Sequence, residues 1–441
     1  MAALAMSAYF LYFAIPAIRA GFAPDDPMNM GFYWLRGFWP SVADMIRFWS
    51  TAYRPMGALF YMPIYHVFGI EPVPYRIAVL ALIAANIYLG YRLMDLLTGS
   101  KAGAALTAML VAVHASMVPI YYNTSQIYDI LAFFFLALML VCYISCRRHG
   151  QALSIWQSAV VLCAFAAALD SKELAVVASG WVLAYELLFH RPWRLRLPIL
   201  LVIISLVYTL GKFLGSDPLY KASGYLLEPT LHRYMVNNRW YVNDLFYSHY
   251  FDTSRKLVFA WCVLTAICWI ARKRELWWCW FAVSTATLGI SFTLRPRGGP
   301  GLYIPLLAWA MLASVLATSF LKKRPLLEWS AVAIVALIAG HYTVGYWRPQ
   351  APLYVRDHRL TGSVIAQIRG IQPKPAPGSR VIILKNPLDD YYAYFIASLI
   401  WNDHTITIHL ANKLAEPPDL ASYQWILTFE GDKLQVLKKP G

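Results

Sequence analysis

Residues 127–146 have the sequence IYDILAFFFLALMLVCYISC, and two arginines, Arg147 and Arg148, follow directly. A run of about 20 apolar residues is long enough to cross the hydrocarbon core of a bilayer as an α-helix. Arginines at the end of such a run favour the cytoplasmic side of the membrane. The stretch therefore predicts a membrane-spanning helix that ends in the cytoplasm.

The whole chain has the composition of a membrane protein with many spans. Of its 441 residues, 59% are hydrophobic and 14% are charged, whereas a typical soluble domain is about 25% charged. This composition excludes a soluble globular enzyme and a disordered chain. The first apolar segment lacks the positive charge that opens a signal peptide, so we interpret it as a helix and expect the natural start to lie upstream. About eleven apolar segments qualify as spans, at approximately 2–20, 75–97, 102–121, 127–146, 153–170, 174–190, 197–215, 256–271, 276–294, 301–321 and 327–346.

The net charge of +15 arises from 38 Lys and Arg residues against 23 Asp and Glu residues. A basic chain can bind nucleic acid, but here the positive residues lie in short clusters between apolar segments, so no nucleic acid partner is predicted. Because Lys and Arg mark cytoplasmic loops, an eleven-helix chain of this kind has a cytoplasmic N-terminus and an extracytoplasmic C-terminus. The five short loops on the cytoplasmic side contain Lys101; Arg147 and Arg148; Arg191, Arg194 and Arg196; Arg272, Lys273 and Arg274; and Lys322, Lys323 and Arg324.

Three long stretches fall on the outer side, namely the loops 21–74 and 216–255 and the tail. We therefore predict a transmembrane domain, residues 1–347, and a small extracytoplasmic α/β domain, residues 348–441. A domain of this size needs to pack on another surface to be stable. The tail has turn residues between short apolar segments, which favours strands. Its predicted elements are strands at Val381–Leu384, Thr405–Leu410, Trp425–Phe429 and Leu434–Leu437, and a helix at Asp389–Trp401.

The six cysteines all lie inside or at the ends of apolar segments. They show neither a C-x-x-C pair nor the spacing of a zinc site. We interpret them as small apolar residues, and the sequence indicates no metal site.

An acidic pair, Asp25 and Asp26, follows the first apolar segment, within residues 24–29, PDDPMN. A carboxylate near the bilayer surface is partly desolvated, which suits a general base. The pair has two other interpretations, an interfacial acidic pair and the N-cap of an amphipathic helix.

Charged residues also stand at the ends of later segments on the same side. Arg54 needs an anionic partner at this depth, either a protein carboxylate or a phosphate, which arginine binds bidentately. Lys172 and Glu173 lie in a very short turn, where they form either a functional group or an ion pair that holds the turn. Asp129 starts the segment 127–146, where an acid also interacts favourably with the helix dipole.

Two further arginines, Arg295 and Arg297, lie beside Gly298 and Gly299, a pattern that predicts an anion site. On the predicted topology, these acids and cations all converge on the outer membrane surface. An acid that can deprotonate a hydroxyl, beside cations that can hold a phosphate, meets the needs of sugar transfer from a lipid-linked phosphosugar.

The order of these motifs resembles the membrane glycosyltransferases of the GT-C superfamily, in particular the protein O-mannosyltransferase, aminoarabinose transferase and TPR-containing O-mannosyltransferase branches. In such proteins an acidic pair follows the first helix, an [RK]-P motif follows in the first long loop, and S-K-E and R-x-x-Y-x-P-like motifs precede later helices. The resemblance covers about residues 1–320. It departs from the family at one place, because the family commonly has an arginine directly before the tyrosine, and here Gly298–Gly301 intervene. The matching residues are Asp25-Asp26, Arg54-Pro55 with Phe68-Gly69, Ser171-Lys172-Glu173, and Pro300-Gly301-Leu302-Tyr303-Ile304-Pro305.

The resemblance implies an α-helical, polytopic, GT-C-like enzyme in a bacterial inner membrane, with a periplasmic C-terminus. Its donor is expected to be a polyprenyl-phosphate-linked sugar, whose anomeric carbon is inverted on transfer to an acceptor hydroxyl. The acceptor is a protein, a lipid or a glycan, and the sequence does not distinguish them. The other expected partners are membrane lipid and, as an open alternative, a second membrane protein. Some branches require a divalent metal, so a metal cofactor also stays open.

The resemblance also implies roles for individual residues. Asp25 is the expected general base. Asp26 is the second catalytic candidate and is expected to position Asp25. The expected donor phosphate-binding residues are Arg54, Lys172, Arg295 and Arg297. Supporting roles are expected for Asn29, Asp129, Glu173 and Tyr303.

Two other classes of protein are compatible with the sequence. A lipid or solute transporter usually has internal repeats and broken helices near the membrane midplane, and the sequence shows neither. A non-catalytic membrane subunit that retains the GT-C fold is supported by the interrupted Arg–Tyr motif, since a fold alone does not imply a function.

Overall fold

The structure is a computed structural model, and it describes residues 2–47, 54–148, 150–215, 218, 226–319, 321, 324–388 and 391–439. Residues 48–53, which precede Arg54, lie outside this part of the chain, as do Lys322, Lys323 and the predicted start of the tail helix at Asp389. The described part is mainly helical and carries one four-stranded sheet.

The first helix leads into a group of short helices that form the first long loop. Asp25 and Asp26 occupy the first turn of the second helix, where carboxylates interact favourably with the helix dipole. Gly37 then adopts φ +84°, a conformation that glycine reaches without strain, and the chain turns there into the third helix. These elements are α1 (Ala2–Arg19), α2 (Asp25–Arg36), α3 (Phe38–Ile46) and α4 (Met56–Phe68).

A bundle of helices follows. The second long loop contributes α12, and the other helices form the body of the protein. Their bounds are α5 (Pro72–Thr98), α6 (Lys101–Ala112), α7 (Pro119–Tyr122), α8 (Ile127–Arg147), α9 (Ile155–Ser171), α10 (Val177–Phe189), α11 (Arg196–Leu214), α12 (Leu231–Leu245), α13 (Ser254–Ala271), α14 (Arg274–Thr285), α15 (Tyr303–Ser319) and α16 (Pro325–Trp347).

The prediction of eleven spans is supported in part. Four of the eleven predicted segments form helices of 18 residues or fewer, namely α1, α9, α10 and α14. A seventh span exists if Lys101–Ala112 and Ala115–Tyr122, which are bent by 56°, cross together. The six helices long and apolar enough to cross a membrane, within the described residues, are Pro72–Thr98, Thr124–Arg147, Arg196–Leu214, Ser254–Ala271, Gly299–Ser319 and Pro325–Trp347.

Helices α6 and α9 each end close to a residue with an extended backbone. Lys172 has φ −160° and ψ 139°, so α9 stops at Ser171, and a 3-10 turn, Glu173–Val176, precedes α10. His114 is extended in the same way, with φ −131° and ψ 126°, and its ring accepts a hydrogen bond from the backbone N–H of Ser116. These interruptions bring polar side chains to the ends of otherwise apolar helices.

The predicted span at 276–294 is a helix only as far as Thr285, and side chains of α12 support the irregular backbone beyond it. Asn237 Nδ2 donates to the carbonyl oxygens of Ser291 and Thr293, and Tyr241 donates to that of Ile290. Backbone polar groups at membrane depth must be satisfied within the protein. The second long loop therefore completes the bundle instead of standing apart from it.

The tail forms a small α/β unit. Strand β1 pairs in parallel with β2 and β3, and β3 pairs antiparallel with β4, giving the order β2-β1-β3-β4. Each strand overlaps one of the four predicted strands, and a turn at Gly431 connects the last two. The elements are α17 (Ala351–Arg369), β1 (Arg380–Ile383), α18 (Tyr392–Trp401), β2 (Thr407–Leu410), β3 (Trp425–Glu430) and β4 (Lys433–Lys438).

One continuous apolar core joins the tail to the bundle, since buried residues such as Phe13 and Trp181 belong to the same cluster as Ile396 and Leu427. Helix α18 lies against α2 of the first long loop. The expected need of the tail for a packing surface is thereby met, and the tail comes next to the acidic pair.

Candidate active site

The two acids of the pair have different surroundings, because neighbouring residues of a helix point in different directions. Asp26 is completely buried. It accepts hydrogen bonds from the backbone N–H of Ala23 (2.9 Å) and Ser125 (2.6 Å), and it forms an ion pair with Arg76 at 3.2 Å. Burial raises the pKa of Asp26 to about 6, although Arg76 and the backbone N–H groups oppose the rise. Asp26 thus ties α2 to the bundle.

Asp25 is only partly buried, and its side chain contacts the tail. Its Oδ1 accepts a hydrogen bond of 2.6 Å from the hydroxyl of Tyr392, the first residue of α18. Its backbone carbonyl accepts a hydrogen bond of 2.9 Å from the side-chain amide of Asn29, one turn later in α2. Among the described residues, Asp25 Oδ2 has no hydrogen-bond partner, so Asp25 is the carboxylate of the pair that can contact a substrate.

Arg54 and Glu173 form a bidentate ion pair between the first long loop and the break before α10. Arg54 Nη2 lies 2.9 Å from Glu173 Oε1, and Nε lies 3.3 Å from Oε2. Burial alone would raise the pKa of Glu173, but Arg54 and Lys172 hold it down, at about 2. Glu173 is therefore ionised at neutral pH.

Lys172 pairs with a different acid, Asp129 at the start of α8, and both side chains are largely buried. The extended backbone at Lys172 directs its side chain away from that of Glu173, so successive residues reach two different partners. Four charges of alternating sign, from Arg54 to Asp129, thus come together where α8, α9 and the first long loop meet.

Two tyrosines connect this charge cluster to the acidic helix. The Tyr33 hydroxyl lies within hydrogen-bonding distance of the Arg54 carbonyl (2.7 Å) and the Tyr128 hydroxyl (3.0 Å). Tyr128 donates to Asn29 Oδ1 at 3.0 Å, and its ring lies 5.3 Å below the Arg54 guanidinium. Gly57 makes room for both rings, since a Cβ there would lie 2.1 Å from the Tyr33 hydroxyl. Four of the predicted residues are therefore linked by contacts, namely Asp25, Asn29, Arg54 and Glu173. The Lys172–Asp129 pair lies beside them, because Lys172 precedes Glu173 in the chain.

A groove with a volume of about 570 Å³ opens beside this network. Glu173 and Lys212 are the charged residues among its described lining, and Lys212 lies on the last turn of α11 with its ammonium group 5.1 Å from the Tyr208 ring centroid. The rest of the lining is mostly apolar and includes Phe213, Leu288 and Phe292. The groove has the character of a site for an apolar chain with an anionic end.

The predicted anion site lies in a second cluster, built on α12. The Tyr241 hydroxyl accepts a hydrogen bond from the backbone N–H of Arg297, and Asp244 Oδ2 accepts one from Gly299 at 3.2 Å. The Arg295 side chain is exposed. This cluster orients the backbone of the glycine-rich loop that carries both arginines.

Tyr303 lies in the core instead of at a surface. It is almost fully buried, and its ring stacks on Phe133 with the centroids 4.3 Å apart. This environment gives Tyr303 a packing role between α15 and α8.

Several residues at the site were not singled out from the sequence. Tyr33, Tyr128 and Tyr392 are three of 29 tyrosines, and their spacing gives no signal. Lys212 and Arg76 lie in predicted spans. A single basic residue within an apolar segment could have indicated a functional role, because charges inside membrane helices are costly.

The site contains an acid, several cations and an apolar groove, but no ready-made metal centre. Among the described residues, no group of three or more His, Cys, Asp or Glu side chains is arranged to hold a metal ion. The chemistry that this arrangement supports is proton transfer at Asp25 together with the binding of an anion.

The helical bundle, the short helices of its first loop and the small α/β tail together have the fold of two solved structures of ArnT, and the apolar helices are typical of an integral membrane protein. The solved structure of ArnT from Cupriavidus metallidurans bound to undecaprenyl phosphate has a TM-score of 0.56 with this chain, is 14% identical, and covers 92% of this chain and 85% of its own. ArnT from the same organism in the apo state has a TM-score of 0.53, is 13% identical, and covers 97% and 92%. The predicted resemblance is confirmed for the fold. No family model and no curated protein matches the chain.

Proposed function

We propose that this protein is a membrane glycosyltransferase that moves a sugar from a polyprenyl-phosphate-linked donor to a hydroxyl of a protein or glycan acceptor. The observation that carries the proposal is the network from Asp25 through Asn29 and Tyr128 to the Arg54–Glu173 pair. This network contains the carboxylate of Asp25 and the guanidinium of Arg54, the two kinds of group that the proposed transfer requires. The transfer is proposed to occur on the extracytoplasmic face of a bacterial inner membrane, as the loop charges predict.

The proposed step needs a base and a stabilised leaving group. Asp25 Oδ2 takes the proton of the acceptor hydroxyl, and the oxygen attacks the anomeric carbon of the donor sugar. The bond between that carbon and the phosphate oxygen breaks, and the polyprenyl phosphate leaves with the electron pair. Positioned cations stabilise the negative charge that develops on this phosphate.

The groove beside Glu173 supports a lipid-linked donor. Its apolar wall suits a prenyl chain, and Lys212 provides a buried cation at the same place. A similar fold binds undecaprenyl phosphate in ArnT from Cupriavidus metallidurans. We therefore add Lys212 to Arg54 and Lys172 as a proposed phosphate-binding residue, with Arg295 and Arg297 contributing from the neighbouring loop.

One observation favours a second candidate, a non-catalytic membrane subunit that retains this fold. Arg54 and Lys172 are each paired with a carboxylate, Glu173 and Asp129. A donor phosphate must compete with these acids, whereas a structural cluster would need no ligand at all.

The test is transfer by purified protein in lipid, with radiolabelled polyprenyl-phosphate sugars as donors. Replacing a general base lowers the rate by about 10²–10⁴-fold, so we expect Asp25→Ala to abolish most of the transfer. Asp252→Ala is the matched control, because Asp252 is an exposed acid of the second long loop. Folded wild-type protein that turns over none of the donors would support the non-catalytic subunit.

A further inference from the structure

Helix α18 of the tail lies beside α2 and makes hydrogen bonds near both of its ends. Near the start, Tyr392 donates to Asp25 Oδ1 at 2.6 Å. At the other end, Trp34 Nε1 donates to the side-chain oxygen of Asn402 at 2.8 Å, and Tyr65 donates to the Leu399 carbonyl at 2.7 Å. The register of α18 along the acidic helix is thereby determined.

The two helices approach closely because α2 has a glycine at their contact. A Cβ at Gly31 would lie 2.4 Å from Cδ1 of Phe395, closer than packed atoms tolerate. The Phe395 ring also packs against Phe32, with the ring centroids 5.1 Å apart. This contact lies between the two hydrogen-bonded ends, so α18 is held along its length.

We propose that Tyr392 is a positioning residue for the base of the transfer reaction, supplied by the tail to a site otherwise built by the bundle. This inference rests on the proposed function. The phenolic hydroxyl holds Asp25 through one oxygen and leaves the other to take the proton of the acceptor. Asn29 does not replace it, because its amide contacts the backbone carbonyl of Asp25 and not the carboxylate.

The position of Tyr392 explains how one hydrogen bond can govern the reaction. A hydrogen bond to an ionised carboxylate is stronger than one between neutral groups. It also restricts the side-chain torsions of Asp25, and small displacements of a reacting group reduce rates strongly. Among the described residues, the ionisable groups near Asp25 include the neighbouring Asp26 and, through Asn29, the Tyr128 hydroxyl.

The proposal also gives the tail a role. Helix α18 packs into the same apolar core as the bundle and carries Tyr392. If the tail were displaced, Asp25 would lose the hydrogen bond from the Tyr392 hydroxyl. A complete site would therefore form only when the tail is docked on the first long loop.

The first test is the pH dependence of transfer by Tyr392→Phe in the full-length protein. Phenylalanine keeps the ring and removes the donor, and a hydrogen bond to a charged group corresponds to about 10–100-fold in rate. We expect kcat to fall by that factor, with little change in the KM of the donor. Since losing a donor favours the protonated carboxyl, the acidic limb of the kcat/KM profile should move to higher pH.

Two control variants separate positioning from simple docking. Tyr391→Phe changes the neighbouring, exposed tyrosine and should leave both kcat and the pH profile unchanged. Asn402→Ala removes the hydrogen bond at the other end of α18 and should lower thermal stability without moving the acidic limb. A Tyr392→Phe protein with the wild-type pH profile and kcat would overturn the inference.

A second measurement does not depend on a variant that changes packing. Placing 3-fluorotyrosine at position 392 retains the ring and makes its hydroxyl a stronger donor, so the acidic limb should move to lower pH. An unchanged limb with this residue would also overturn the inference. If wild-type protein transfers no sugar at all, the proposed function itself fails, and this outcome differs from active protein that is insensitive to Tyr392.

Discussion

Tyr392 and Asp25 lie 367 positions apart in the chain, and their side chains are joined by a hydrogen bond of 2.6 Å. The first belongs to the α/β tail and the second to the loop that follows the first helix. Their contact makes the tail a part of the candidate site. It also distinguishes Asp25 from Asp26, whose carboxylate is enclosed by Arg76 and backbone N–H groups.

We expect the stability of the protein to increase when the pH falls from 7 to 5, in a way that depends on Asp26. Burial raises the pKa of Asp26 from near 3.8 to about 6, so the folded state binds the proton more tightly than the unfolded state. The stabilisation is complete below the unfolded pKa and is lost as the pH rises through about 6. Between pH 7 and 5 it amounts to about 1 kcal/mol.

The measurement is thermal unfolding of wild type and Asp26→Asn at pH 7 and 5. Burial lowers the pKa of His358 to about 4, below its usual 6.5. His358 therefore makes the protein less stable as the pH falls from 7 to 5, opposite to the effect of Asp26. The comparison with Asp26→Asn cancels the effect of His358. Equal pH dependence in the two proteins would show that Asp26 does not change protonation in this range.

Arg54→Ala should destabilise the protein and also abolish donor binding. Arg54 and Glu173 form a partly buried ion pair, and removing one partner leaves the other charge uncompensated. The cost for a fully buried pair is about 3 kcal/mol, which is an upper bound here. The double variant Arg54→Ala/Glu173→Ala should regain most of the stability but none of the transfer. Thermal unfolding and donor turnover are measured on all three proteins, and an active double variant would reduce Arg54 to a structural role.

Lys212→Met should raise the KM for the donor at least tenfold. The substitution keeps the apolar stem and removes the cation that faces the groove. Losing an interaction of about 1.4 kcal/mol with a charged group weakens binding about tenfold. Stabilisation of the protein by added undecaprenyl phosphate should fall in parallel, whereas Lys256→Met, in an exposed ion pair with Asp252, should behave as wild type.

Gly31→Ala should separate α18 from α2 and reduce transfer. The added Cβ would overlap the Phe395 ring, so one of the two helices must move. Phe395→Ala in the same protein should restore part of the activity by making room. Gly345→Ala is the control, because a Cβ there meets no atom within 4 Å. A similar loss of activity in the control would show that the effect of Gly31→Ala does not come from its contact with Phe395.

Much of the candidate site could be predicted from the sequence because its charged residues are unusual beside apolar segments. Asp25, Arg54, Asp129, Lys172 and Glu173 stand out for that reason. In the structure Arg54 pairs with Glu173, and Lys172 pairs with Asp129. Their roles in transfer stay predictions. Tyr33 and Tyr128, which connect Asn29 to Arg54, could not be singled out from the sequence, because tyrosine is common at membrane interfaces.

The predicted spans differ from the structure where local backbone conformation matters. Hydropathy alone favoured continuous helices at 102–121 and 276–294, but the chain bends by 56° after Ala112, and α14 ends at Thr285. The second break depends on Asn237 and Tyr241 of another helix, which satisfy the freed carbonyl groups. Such support comes from residues distant in sequence, so a window of neighbouring residues cannot reveal it.

The sequence by itself determined that the chain is a helical membrane protein with charged residues at the ends of its apolar segments, because hydrophobicity and the cost of burying charge act locally. The tertiary structure decided which charges meet. It enclosed Asp26 with Arg76, paired Arg54 with Glu173, and set Tyr392 on Asp25. These choices depend on directions and distances between separate elements, which packing alone determines.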